Sequence, residues 1–148
     1  MALSRQCPFL FSAPSPSQDS TIVELFRLIP IASDRQLARA AHEISAYLTE
    51  LTSEDPLTTL SVLSQLTSFL TTRNVIQTPY RYAAGVIFSE LAEDSILRPY
   101  GSVRTGALLD LWRTFHDKGE YLPRWVSERA KEIHEDLLGT PCGIATPI

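Results

Sequence analysis

Three histidines, two cysteines and seventeen carboxylates are the side chains in this sequence that could activate water, attack a carbonyl or hold a metal. Their spacing builds none of the arrangements those reactions need. Neither HExxH nor CxxC occurs, and His42, His116 and His134 are scattered along the chain without Cys or carboxylate partners at ligand spacing. Cys142 could meet His134 as a thiolate–imidazole pair. It lies in a Pro/Gly-containing tail, however, where a nucleophile is poorly held. The segment "GSVRTG" (Gly101 to Gly106) has the glycines of a phosphate loop but lacks the Lys-Ser/Thr pair, and it follows no strand signal. Ser102 reads there as a helix cap. Glu93-Asp94 and Glu135-Asp136 fall near expected helix ends and read as solvated surface. The expectation is a non-enzymatic chain with no catalytic residue, no metal site and no cofactor.

The charge balance narrows the classes further. Of 148 residues, 13 are basic and 17 acidic, giving a net charge of −4, and the only lysines are Lys118 and Lys131. Nucleic-acid binding needs several phosphate contacts and a gathered basic face. Single arginines spread along an acidic chain do not supply one. The rival reading, a nucleic-acid-binding helical domain, requires folding to bring Arg73, Arg81, Arg98 and Arg104 together. A helical cleft holding an unrecognised enzyme site is a third reading. Cys7 and Cys142 sit in the two expected tails and read as free thiols. No run of eighteen apolar residues occurs, so no membrane span is expected. "CPFLF" near the start is too short and too proline-broken for a signal peptide, so a cytoplasmic or nuclear setting is expected.

The elements that must position any binding residue are helices, because period 3.6 dominates and period two is nearly absent. About six are expected in an all-α fold. After a Pro/Ser-rich arm over 1–19, "STIVELFRLI" (Ser20 to Ile29) is apolar nearly all round and stops at Pro30. The second helix opens with the capping box Ser33/Gln36 and turns Leu37, Ala40, Ala41, Ile44, Tyr47, Leu48 and Leu51 inward. Asp55-Pro56 starts the third and Thr78-Pro79 the fourth, with proline where its missing N–H costs nothing. The fifth runs from Ser102 to Gly119 with Leu108, Leu109, Leu111, Trp112 and Phe115 inward. The sixth runs from Pro123 to Gly139, a natural C′ glycine, and buries Val126, Ala130, Ile133 and Leu137. One domain over 20–139 and a tail over 140–148 complete the chain.

The caps at Ser33, Asp55, Thr78 and Ser102 fall about 22–24 residues apart, so helix pairs recur about every 45–47. On that spacing the chain resembles helical-repeat arrays of the HEAT and armadillo type, whose periods are about 40–47 residues. The resemblance implies antiparallel hairpins stacked as a short α-solenoid. An up-down bundle with short loops gives the same spacing.

Two places read as partner surfaces. "PLTTLSVLSQLTSFLTT" (Pro56 to Thr72) carries no charge, and Val62, Leu63, Leu66, Phe69 and Leu70 make one stripe. Leu57 and Leu60 point to the opposite half, and the rest is Ser61, Ser64, Gln65, Ser68, Thr71 and Thr72. The first reading makes this the central helix, its hydroxyl face covered by another helix of the same chain. The second makes Ser61, Ser64 and Ser68 a docking face. On the sixth helix Trp125 lies off the inward stripe, beside Arg129 and Glu132, either packed beneath the preceding "GEYLPR" loop or standing as an interface anchor on which Arg129 could stack. Tyr82, with Val86, marks a second face of the fourth helix, packed on a neighbouring helix or offered to a partner. The expectation is an interaction adaptor or assembly subunit binding protein partners or copies of itself, with Phe9, Leu10 and Phe11 as a candidate docking peptide.

Overall fold

A computed structural model describes residues 34–72, 79–98 and 102–139. Five α-helices lie within them: α1 Asp34–Leu51, α2 Pro56–Thr71, α3 Pro79–Ala92, α4 Thr105–Lys118 and α5 Leu122–Leu138. A 3-10 turn, Gly119–Tyr121, joins α4 to α5, and no strand is present among the described residues. The fold is all-α, with five α-helices there rather than about six. The helix expected over 20–29, both expected tails and the Thr78 cap lie outside the described residues.

The centre of the molecule is α3, which corrects the expectation that α2 holds that place. Every position from Arg81 to Ser89 is buried, and α3 packs against α1, α2, α4 and α5. The sequence "YAAGVIF" permits this, because the small run Ala83 to Gly85 lets neighbouring helices approach closely while Tyr82, Val86, Ile87 and Phe88 fill the space around it. Gly85 is required by that packing: a Cβ there would overlap the side chain of Leu97. The largest contact is between α1 and α3, and α1 also lies against α5 and α2. Ala40, Ala41, Ile44, Tyr47, Leu48 and Leu51 of α1 are buried, as their spacing requires.

Between α3 and α4 the chain makes one antiparallel bridge, Leu97 to Val103. Arg98 N–H donates to the Ser102 carbonyl at 2.7 Å and Arg104 N–H to the Ile96 carbonyl at 2.7 Å. These bonds hold residues 102–104 extended, so α4 begins at Thr105 and not at Ser102. Its end agrees with the spacing: Gly119 has φ of 57°, and Gly139 closes α5 with φ of 77°, both in the region glycine enters without strain.

A line of rings runs outward from the core. Phe115 meets Phe88 at 6.1 Å, Trp112 at 5.0 Å and Trp125 at 6.3 Å between centroids, each edge to face. These rings join α3, α4 and α5. A second cluster, Tyr47–Phe69 at 6.0 Å and Phe69–Tyr80 at 5.3 Å, joins α1, α2 and α3.

Candidate functional site

The open face of α2 is the first candidate, and its own sequence fixes the helix that carries it. The Asp55 carboxylate accepts from Thr58 N–H and from the Thr58 hydroxyl, both at 2.9 Å, and Pro56 occupies the first turn. Those two hydrogen bonds, backbone first, hold the Asp55 carboxyl below its usual pKa. At the other end the buried Arg81 guanidinium donates to the carbonyls of Phe69 at 3.3 Å and Leu70 at 2.7 Å. A cation at a helix C-terminus meets the negative end of its dipole. Burial lowers the Arg81 pKa, and the group stays charged. Along the helix, Thr67 and Thr71 return their hydroxyls to the carbonyls of Leu63 and Thr67, at 2.8 and 3.0 Å.

With its ends tied, α2 buries Thr59, Val62, Leu63, Leu66 and Leu70 and leaves the opposite side open. Ser61, Ser64, Gln65, Ser68, Thr71 and Thr72 are exposed. No helix of the described residues covers the hydroxyl face, and the helix expected over 20–29 lies outside those residues. Leu57 is 78% exposed and Leu60 46%. At 100° per residue, Leu57, Leu60, Ser61, Ser64, Ser68 and Thr71 share an arc of about 100°. One edge of that side adjoins α4, where Trp112 Nε1–H donates to Thr67 Oγ1 at 2.9 Å. Leu109, one turn before Trp112, is 53% exposed, which corrects its expected inward position. Three of the four large hydrophobics exposed among the described residues therefore belong to α2 and the adjoining helix; the fourth is Tyr121.

The second candidate surface is built differently from its expectation. Trp125 is half-buried and packs against the core through Phe115, with Lys118 Nζ 4.8 Å from its ring centroid. The cation on Trp125 is thus Lys118 and not Arg129. Arg129 instead braces α5 to α3, donating to the Glu90 carbonyl at 2.9 Å and to Glu132 at 2.6 Å. Glu132 is exposed. Tyr82 is 1% exposed, so it offers no surface to a partner, and burial pushes its phenol up to about 12.

Most of the described arginines have partners within the chain, and Arg73 lies outside the described residues. Arg39 pairs with Glu43, Arg104 with Asp94, Arg113 with Asp110 and Arg124 with Glu128, while Arg81 is turned inward. His42 and His116 are exposed, whereas His134 is buried between α1 and α5 with Nε2 3.0 Å from Ser45 Oγ. A serine beside an imidazole is the start of a nucleophile and base. Both side chains are 4% exposed here, so the pair acts as a polar tie between two helices. Among the described residues no group of three or more His, Cys, Asp or Glu could hold a metal ion, and no helix is long and apolar enough to cross a membrane. The chain matches no protein-family model, no curated protein and no solved structure.

Proposed function

We propose that this chain is a non-enzymatic protein-interaction module that works from the open face of α2. The observation that carries the reading is the pairing of two exposed leucines, Leu57 and Leu60, with the charge-free hydroxyls of Ser61, Ser64 and Ser68 on one helix arc. An apolar helix face of this kind gains by leaving water against a matching surface. A partner covering it strands no charge and need only meet the hydroxyls with hydrogen bonds. Trp125, with Glu132 nearby on α5, forms a lesser surface in this reading, because its ring is already committed to Phe115 and Lys118.

The architecture behind this face we read as a closed bundle. In an open stack of hairpins the first helix would be distant from the last, whereas α1 lies against both α3 and α5. The even spacing of the caps then reflects short connections. A cytoplasmic or nuclear setting remains part of the same reading. Nucleic-acid binding is the weaker alternative, since Arg81 faces carbonyls and Arg104 faces Asp94.

The test is affinity purification from native lysate with wild type, Leu60→Asp and Trp125→Ala side by side. A stoichiometric partner (a second copy of the chain included) lost with Leu60→Asp and kept with Trp125→Ala is the expected result. Loss with Trp125→Ala alone moves the surface to α5. No partner for any of the three removes the reading.

A further inference from the structure

We propose that the occupant of the α2 face is a second copy of this chain, packed antiparallel across a two-fold axis at Ser64. This rests on the interaction reading above and adds the identity of the partner. Leu57 and Thr71 lie seven residues either side of Ser64, and Leu60 and Ser68 lie four either side. Steps of four and seven return to the same side of a helix, so all five positions face one way. Antiparallel pairing about Ser64 sets Leu57 of one copy on Thr71 of the other and Leu60 on Ser68. Each large side chain meets a small one, four times over in the symmetric pair. Parallel pairing would set leucine on leucine and leave hydroxyls facing a gap.

The charge pattern agrees. A two-fold interface is self-complementary, so any charge close to the axis meets its own copy. No charged residue occurs between Pro56 and Thr71. The whole chain carries a net charge of −4, and two copies repel over most of their surface. The α2 face is where they approach without that cost.

The hydroxyls also tolerate burial. Thr71 already donates to the Thr67 carbonyl at 3.0 Å, and Ser68 Oγ lies 3.5 Å from Thr72 Oγ1. Ser64, at the axis, meets its own twin, and a hydroxyl is both donor and acceptor. Small residues allow the helix axes to come within about 8 Å. Leu109 on α4 extends the apolar area at the flank. One helix face and its flank make a small interface, near or below the ~1,200 Å² at the low end of specific complexes, so the dimer is reversible and depends on concentration.

Sedimentation equilibrium of the full chain tests this, combined with cysteine cross-linking in a Cys7→Ser/Cys142→Ser background. The expected result is a reversible dimer whose dissociation constant rises by about 30-fold or more with Leu60→Asp, the size of a hot-spot loss. The thermal midpoint of Leu60→Asp matches wild type under conditions where both are monomeric. Under mild oxidation Ser64→Cys gives a covalent dimer, Leu60→Cys alone does not, and Leu60→Cys/Ser68→Cys does. Three outcomes overturn the proposal: a monomer at every concentration, a dimer indifferent to Leu60→Asp, or a Leu60→Cys homodimer, which reports parallel pairing. A monomer that still loses a different stoichiometric partner on Leu60→Asp overturns self-pairing and leaves the interaction reading standing. A monomer whose partners ignore Leu60→Asp overturns both.

Discussion

The helices α2 and α3 are neighbours of similar make-up, and they end in opposite environments. Each places proline in its first turn. α2 has no charged residue, and α3 has only Arg81 and Glu90. α3 is enclosed by four helices and buries even its polar groups: Arg81 closes the end of α2, and Ser89 Oγ accepts from Ile96 N–H at 3.0 Å. α2 lies against α1, α3 and α5 with one side, and no helix of the described residues covers its other side. A low charge content therefore establishes only that a helix can be covered. Whether it is covered depends on how many neighbours the topology supplies.

Core substitutions break the contrast most strongly. Phe88→Ala in α3 removes a fully buried ring that meets Phe115, and should cost about 3–5 kcal/mol by chemical denaturation. Leu66→Ala, on the buried side of α2, should cost about 2–5 kcal/mol. An unchanged midpoint for either would misplace that side of the helix. Gly85→Ala should cost about 1–3 kcal/mol despite alanine's better helix propensity, because the added methyl displaces Leu97.

Asp55 sharpens the comparison at the α2 terminus. Its folded pKa lies below the ordinary value of 3.8. The stability it contributes is therefore present above that ordinary value and is lost as pH falls through the depressed one. Asp55→Ala should lower the thermal midpoint slightly at neutral pH and flatten the acid limb of stability against pH. An identical acid limb would remove the cap from the account. The smallest effect is expected on the open side: Ser64→Lys should leave the monomer's stability within about ±0.5 kcal/mol. The same change at Ser89, buried in α3, should be severe. Equal effects at the two serines would erase the difference between the helices.

Much of the local structure was legible. The Asp55-Pro56 start, the inward stripe of α1 and the closing glycines Gly119 and Gly139 follow from capping chemistry and helical period. The α4 start was misread because Ser102 is a good cap by type, while a bridge from Leu97 to Val103 claims it for extended backbone. That bridge leaves almost no alternation to detect. Trp125 read either as a packed ring or as an outward anchor because a helical wheel shows angle alone. Its ring reaches sideways to Phe115 on another helix, which no wheel displays. The open leucines did leave a signal, since Leu57 and Leu60 point away from the Val62–Leu66–Leu70 stripe. What the wheel could not supply was that no helix of the described residues lies on that side.

By itself the sequence determined the helices, most of their ends and which residues within each are apolar. These depend on contacts within a few residues: caps, prolines, glycines and a 3.6-residue period. Tertiary structure alone decided that α3 is central, that Arg81 closes a helix and that no helix of the described residues covers the hydroxyl side of α2. Those outcomes depend on which helices meet across long stretches of chain, and an isolated helix carries no record of how many neighbours it will have.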